Sequence, residues 1–341
     1  MGANEKKINK VFIYWLCTSL ILVYLAILVG GLTRLTNSGL SITEWELLKG
    51  IFPPLTGKSW NLYFEAYKKI PQYKLLNFNM SLEEFKIIFY WEYFHRILAR
   101  IIGIFFLIPL IYFYLTKKIK KFYLNTCLLI FFLIIFQGII GWYMVKSGLV
   151  NDITVSHYRL SIHLSTAVLI TSIMFWLIRN VLLNKQKIFF KFENNSIFFQ
   201  ILILIIFIQI VLGAFVSGLD AGKIYQTWPL MGSNYFPNDL IIPDIKSLAD
   251  FDNHSLIQFY HRNLAYLIIV YSLLLSLYIY RKKIIFLYKP IKILLLVLSA
   301  QIILGIFTLI SGLNIFLASA HQIFSVLLIL SALNLHFYVA K

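Results

Sequence analysis

The stretch Ser196–Leu219 reads SIFFQILILIIFIQIVLGAFVSGL and contains no charged side chain. About 20 consecutive apolar residues carry an α-helix across the hydrocarbon core of a bilayer, so this segment is long enough to span. Seven further stretches qualify, at roughly 11–33, 87–115, 122–145, 157–180, 255–280, 291–311 and 318–340. The first follows Lys6, Lys7 and Lys10, but its apolar run is too long for a signal peptide and no small-residue cleavage site follows, so it reads as a retained helix. Composition agrees. Of 341 residues, 60% are apolar and 13% are charged, where a soluble domain carries about a quarter charged. That balance excludes a cytosolic enzyme, a disordered chain and a secreted disulfide scaffold. The fold class is an all-α polytopic membrane protein with eight transmembrane helices.

The net charge of +17 invites a nucleic-acid partner until the charges are placed. With spans alternating, one side holds the N-terminus, the segments near 116–121, 179–195 and 281–292, and Lys341. It carries 17 of the 31 Lys and Arg with only Glu5 and Glu193 as acids, a net of +15. The other side nets +2. The bias puts the first side, with both termini, in the cytoplasm. No nucleic-acid partner is called for; the partner is membrane lipid. Cys17 and Cys127 both fall inside spans and form no redox or metal motif. The long outside loops, about 34–86 and 220–254, are rich in Pro, Gly, Asn and Trp and read as folded.

The chain repeats itself. Gly30, Gly39 and Trp45 match Gly213, Gly222 and Trp228. His95-Arg96 and Ala99 match His261-Arg262 and Ala265. Gln137, Gly141 and Ser147-Gly148-Leu149 match Gln301, Gly305 and Ser311-Gly312-Leu313. Each unit holds four helices, an even number, so the halves share one orientation. Residues 1–195 and 196–341 are expected to form two tandem four-helix bundles related by a pseudo-twofold axis along the membrane normal.

His95, His163, His261 and His321 are expected in the first turns of spans two, four, six and eight, at equivalent depth near the outer face. Opposed imidazoles on facing helices can hold a haem iron through two axial ligands. A histidine bonding a neighbouring helix is the structural alternative for any one of them, and four at matched positions favour haem. Zinc is less favoured, because no carboxylate or cysteine completes a tetrahedral set. His157 competes with His163 by spacing alone, since it too is offset by a repeat from His321, but it lies almost two turns nearer water. His254 is expected in a loop, and His336 near the cytoplasmic end without a partner.

Arg96 and Arg262 directly follow two of these histidines. A buried arginine in a membrane needs an anion, and haem propionates suit a guanidinium; lipid phosphate is the alternative. Glu92 lies three residues before His95 on the same helix face, whereas the matching position before His261 is Gln258. One half therefore has a potential general base or charge stabiliser, and the other a neutral amide. A structural carboxylate paired with Arg34, Arg96 or Arg100 is the plainer reading of Glu92.

These residues resemble the haem A synthase family. Gly30-Gly31-Leu32-Thr33-Arg34-Leu35-Thr36, Ser38-Gly39-Leu40-Ser41-Ile42-Thr43-Glu44-Trp45 and Pro53-Pro54 are similar to its first outside loop. Glu92-Tyr93-Phe94-His95-Arg96 resembles its Glu-x-x-His-Arg motif, and Tyr158-Arg159-Leu160 with His163-Leu164 its fourth-helix motif. The second half resembles it in Gly218-Leu219-Asp220-Ala221-Gly222, Thr227-Trp228-Pro229-Leu230-Met231, Gln258-Phe259-Tyr260-His261-Arg262 and Ala320-His321-Gln322. The likeness runs nearly end to end. It is to the proteobacterial and mitochondrial branch, since the loop cysteine pair of the Gram-positive branch is missing. Leu47 stands where proline is usual and Gln226 where asparagine is usual.

The resemblance implies an oxidoreductase that converts the C8 methyl of haem O to a formyl group by successive hydroxylations with water-derived oxygen, giving haem A. It implies His261 and His321 as iron ligands of a resident haem b, and His95 and His163 as ligands of the substrate haem O. Arg96 and Arg262 would anchor propionates, and Glu92 would stabilise a cationic intermediate or accept a proton. A haem O synthase, cytochrome oxidase assembly factors and a homo-oligomer are implied partners, with the haem sites near the periplasmic side. The rival from another class is a two-haem b-type cytochrome that only transfers electrons, which leaves the confinement of Glu92 to one half unexplained. A transporter with duplicated halves requires a midplane polar site, whereas the polar residues here cluster near the outer face.

Overall fold

A computed structural model describes residues 10–45, 49–149, 153–192, 194–241 and 245–341. Glu5, Lys6, Lys7 and Glu193 of the charge count, and Leu47, lie outside the described residues. Ten α-helices run in chain order: α1 Lys10–Leu35, α2 Gly57–Tyr67, α3 Pro71–Leu76, α4 Leu82–Thr116, α5 Lys121–Gly148, α6 His157–Leu182, α7 Ile197–Gly218, α8 His254–Arg281, α9 Tyr288–Ile310 and α10 Ile315–Val339. All but α2 and α3 are long and apolar enough to cross a membrane, α9 together with the short 3₁₀ turn before it. The described residues contain no β-strand beyond a single bridge between Met231 and Asn234.

The outward surfaces are as apolar as the interior. On α4, Ile101, Ile104 and Ile108 are exposed, as are Phe132, Phe136 and Ile139 on α5 and Leu296 and Ile303 on α9. A helix apolar all round is stable only when its surroundings are apolar too. Helix α6 is the most enclosed of the eight, and its Ile170, Met174, Trp176 and Leu177 enter the main core.

Neighbour relations repeat between the halves. In the first, α1 packs on α4, α4 on α5, α5 on α6, and α6 back on α1. In the second, α7 packs on α8, α8 on α9, α9 on α10, and α10 back on α7. The halves meet where α6 lies on α7, α1 on α10, and α6 on α10. Arg34, at the end of α1, crosses this seam. Its Nη2 donates to the carbonyls of Ser217 at 2.6 Å and Gly218 at 3.2 Å, and it stands 3.3 Å from Asp220 Oδ1.

Helix α4 begins five residues earlier than its apolar run. Ser81 caps it in a reciprocal box, accepting from Glu84 N at 3.3 Å while Glu84 Oε2 accepts from Ser81 N at 2.8 Å. The added turns stand among the first long loop, which is folded around its own aromatic core of Trp60, Phe64, Tyr67, Phe85 and Phe89. Tyr67 donates to Gln72 Oε1 at 3.0 Å, and Gln72 Nε2 donates to the Asn37 carbonyl at 3.2 Å, fastening the loop to the end of α1.

Candidate functional site

His95 on α4 and His163 on α6 face each other with ring centroids 6.4 Å apart and planes at 74°. His261 on α8 and His321 on α10 do the same at 6.4 Å and 79°. A metal–imidazole bond of about 2 Å, plus roughly 1.2 Å from that nitrogen to the ring centre, puts two rings sharing one ion roughly 6–6.5 Å apart. Both pairs have that spacing. Among the described residues, no group of three or more His, Cys, Asp or Glu side chains gathers as a closed metal set.

Each imidazole lies against a glycine of the helix beside it. A Cβ at Gly30 would stand 2.8 Å from His95 Cε1, one at Gly141 3.0 Å from His163 Cε1, one at Gly213 3.2 Å from His261 Cε1, and one at Gly305 2.8 Å from His321 Cε1. Side-chain carbons rest about 3.5–4.0 Å apart, so any larger residue would push these rings away. The approach also brings ring nitrogens to the neighbouring backbone: His321 Nδ1 lies 3.1 Å from the Gln301 carbonyl. A ligating imidazole commonly gives its other N–H to a backbone carbonyl, which frees the opposite nitrogen for the metal. Nδ1 of His163 is buried without a hydrogen-bond partner among the described residues. The donor set, its spacing and its glycine cradles fit a bis-imidazole haem in each half.

Glutamine amides brace the histidine helices. Gln137 Nε2 donates to the His163 carbonyl at 2.9 Å, and Gln209 Nε2 to the His261 carbonyl at 2.9 Å. Nε2 of Gln209 and of Gln301 also lies 3.4 Å from the Nε2 of its histidine. The repeat made Gln137, Gln301 and the glycines visible in the sequence; their partnership with the histidines required the helix packing.

Around Glu92 the halves diverge on a shared frame. Glu92 is 3% exposed and receives four donors: Arg96 Nη2 at 2.5 Å, Arg96 Nε at 3.1 Å, Ser41 Oγ at 2.7 Å and Ile42 N at 2.9 Å. Arg96 also reaches the carbonyls of Ile42 at 3.0 Å and Glu44 at 3.4 Å. In the second half, Arg262 reaches the matching carbonyls, Tyr225 at 2.9 Å and Thr227 at 2.9 Å. Gln258, in place of Glu92, donates to the same Tyr225 carbonyl at 2.8 Å. Both arginines therefore tether a loop, a duty the sequence did not reveal. Arg262 has no carboxylate partner, and its Nε is buried without an acceptor among the described residues. Its loop is held further by Asp239, which accepts from the Tyr225 phenol and from Ser255 at 2.7 Å; these two donors hold the Asp239 carboxyl below its usual range.

Two histidines sit differently from expectation, and one ligand candidate lies at a different depth. His95 is thirteen residues into α4, not in its first turns, because the capped extension precedes it. His254 is the first residue of α8 rather than a loop residue, because Asn253 caps the helix there. His336 is buried against Trp176, 5.5 Å between centroids, and Phe190, so it does have neighbours. His157 opens α6 and turns away from the other imidazoles, packing on Tyr158 and Phe215 with its Nε2 3.4 Å from Asp252 Oδ1.

The COX15-CtaA family model, described as cytochrome oxidase assembly protein, matches residues 13–333. A haem A synthase of Pelagibacter ubique is 48% identical over 333 residues, covering 97% of both chains. One from a Wolbachia of Brugia malayi is 39% identical over 99% of both chains. One from Rickettsia africae is 42% identical over 92% of this chain and 94% of its own.

Proposed function

Since the chain belongs to the COX15-CtaA family, we propose that it is a haem A synthase, an oxidoreductase of the membrane that oxidises the C8 methyl of haem O to the formyl group of haem A. Two successive hydroxylations with oxygen from water, each releasing two electrons and two protons to an acceptor outside the protein, followed by loss of water, achieve this change. The observation that carries the assignment of roles is that two equivalent imidazole pairs share one geometry, while a carboxylate stands beside only one of them. His95 and His163 in the first half, residues 1–195, bind the substrate haem. His261 and His321 in the second half, residues 196–341, hold a resident haem b. That group, when bound, supplies one-electron redox chemistry.

The protein's own residues position and polarise. The glycine cradles and glutamine braces fix the imidazoles so that little reorganisation accompanies binding. Glu92, one turn from His95, places negative charge beside the substrate where positive charge develops on oxidation, or takes a proton there. Arg96 and the Ser41 hydroxyl hold its two oxygens in place. Arg262 has a buried donor that a propionate would satisfy, and Arg96 presents its guanidinium at the matching place in the first half. The lysine and arginine bias supports an inner-membrane protein with both termini cytoplasmic and the haem sites toward the periplasm. A haem O synthase upstream and the oxidase assembly machinery downstream are its partners.

The test is the pigment of the purified protein and of Glu92→Gln, which keeps shape without charge. The wild type should carry haem b and yield a formylated haem; Glu92→Gln should keep haem b and form no haem A. Haem A formed at the normal level by Glu92→Gln removes the role of the carboxylate. Two bound haems with no formylated product would identify an electron carrier instead.

A further inference from the structure

Three of the four imidazoles have a glutamine one turn before the glycine they lie on: Gln137 before Gly141, Gln209 before Gly213 and Gln301 before Gly305. The fourth does not. On α1 the residue one turn before Gly30 is Ala26. The flanking residues are apolar and half-buried in both halves, Leu22 and Leu98 in the first, Ile205 and Leu264 in the second. In the second half the Gln209 arm crosses from α7 to the His261 carbonyl, and its amide stands 3.4 Å from His261 Nε2. In the first half the corresponding position on α1 carries only the Ala26 methyl, half-buried against the core, and no amide arm.

Ala26 also lies further from the long-loop end of α1 than Gly30, in the apolar depth of the bundle. Haem O differs from haem b by a long apolar chain on the ring. An amide arm at that place would obstruct such a chain, and in hydrocarbon it would demand a polar partner of its own. We propose that Ala26 is a specificity-determining residue: it leaves open, beside His95, the room in which the apolar chain of the substrate haem lies, and Gln209 closes the same room in the second half so that only a ring without that chain is retained there. This rests on the reading that His95 and His163 bind the substrate haem. It gives a residue-level reason why two sites of one geometry hold different rings.

The experiment exchanges the two residues and extracts the haems. Ala26→Gln, Ala26→Leu, Gln209→Ala and His95→Ala are purified from cells that make haem O, and haem b, haem O and haem A are quantified against protein. Ala26→Gln should keep haem b at the wild-type level and lose at least tenfold of its haem O plus haem A. Ala26→Leu should do the same through bulk alone. Gln209→Ala should raise the ratio of haem O to haem b. Wild-type haem O content in both Ala26 variants, or an unchanged ratio in Gln209→Ala, overturns the proposal. Haem O retained in full by His95→Ala would instead overturn the site assignment beneath it.

Discussion

Replacing the four cradle glycines by alanine should damage the imidazole sites in an order set by distance. At Gly305 the new methyl would stand 2.8 Å from His321 Cε1, and at Gly213 it would stand 3.2 Å from His261 Cε1. Against a carbon contact of about 3.5 Å, the ring must retreat by roughly 0.7 Å in the first case and roughly 0.3 Å in the second. Metal–ligand bonds tolerate about 0.2 Å. Gly305→Ala should therefore break axial ligation by His321, while Gly213→Ala sits near the limit and should weaken it. The assay is the low-spin absorbance and electron paramagnetic resonance signal of the second-half haem in purified protein, normalised to helical content. Gly305→Ala should lose the bis-imidazole signal and Gly213→Ala should keep a reduced one. Gly103 on α4 has nothing within 4 Å of its would-be Cβ, so Gly103→Ala is the control. It should be neutral or stabilise the helix by about 0.5–1 kcal/mol. A full low-spin spectrum in Gly305→Ala, or greater loss in Gly213→Ala than in Gly305→Ala, refutes the reasoning.

His261→Ala should remove haem b absorbance while leaving the protein in the membrane, and an unaltered spectrum would overturn the ligand assignment. Arg34→Ala should lower stability by about 1–3 kcal/mol, because it deletes the charged donor to the Ser217 and Gly218 carbonyls across the seam. Thermal unfolding in detergent measures it, and a melting temperature equal to wild type would show that the seam does not depend on this side chain.

Much of the architecture was legible because the bilayer makes one demand, a long apolar run, and every span meets it. The spans fail to predict the start of α4 for the same reason. Glu83, Glu84 and Lys86 lower hydropathy there, yet the Ser81 capping box continues the helix outside the apolar zone. The histidines could be read from repeat arithmetic, which records which residues correspond but not which touch. The preference for His163 over His157 rested on depth along the sequence; the pairing of each imidazole with a glycine on another helix needed the helix packing. Arg96 was a foreseeable partner for Glu92 because four residues on a helix bring two side chains together. Ser41 and the Ile42 amide were not, since a loop folding back over α4 leaves no periodic signal. Nor could any pattern show that Arg96 and Arg262 grip the same two carbonyl positions in their loops.

Arg34 and Ser217 occupy corresponding places in the two repeats, and they meet. Between identical subunits, a contact of a residue with its own twin must be self-complementary, and two facing arginines would repel. In a single chain each copy is free to change alone. One guanidinium opposite one carbonyl, with Asp220 beside it, is an arrangement open only to a fused pair. The covalent link between the repeats thus does more than keep them together. It lifts the rule of sameness from their shared boundary, as Glu92 against Gln258 and Ala26 against Gln209 show it lifted inside each half.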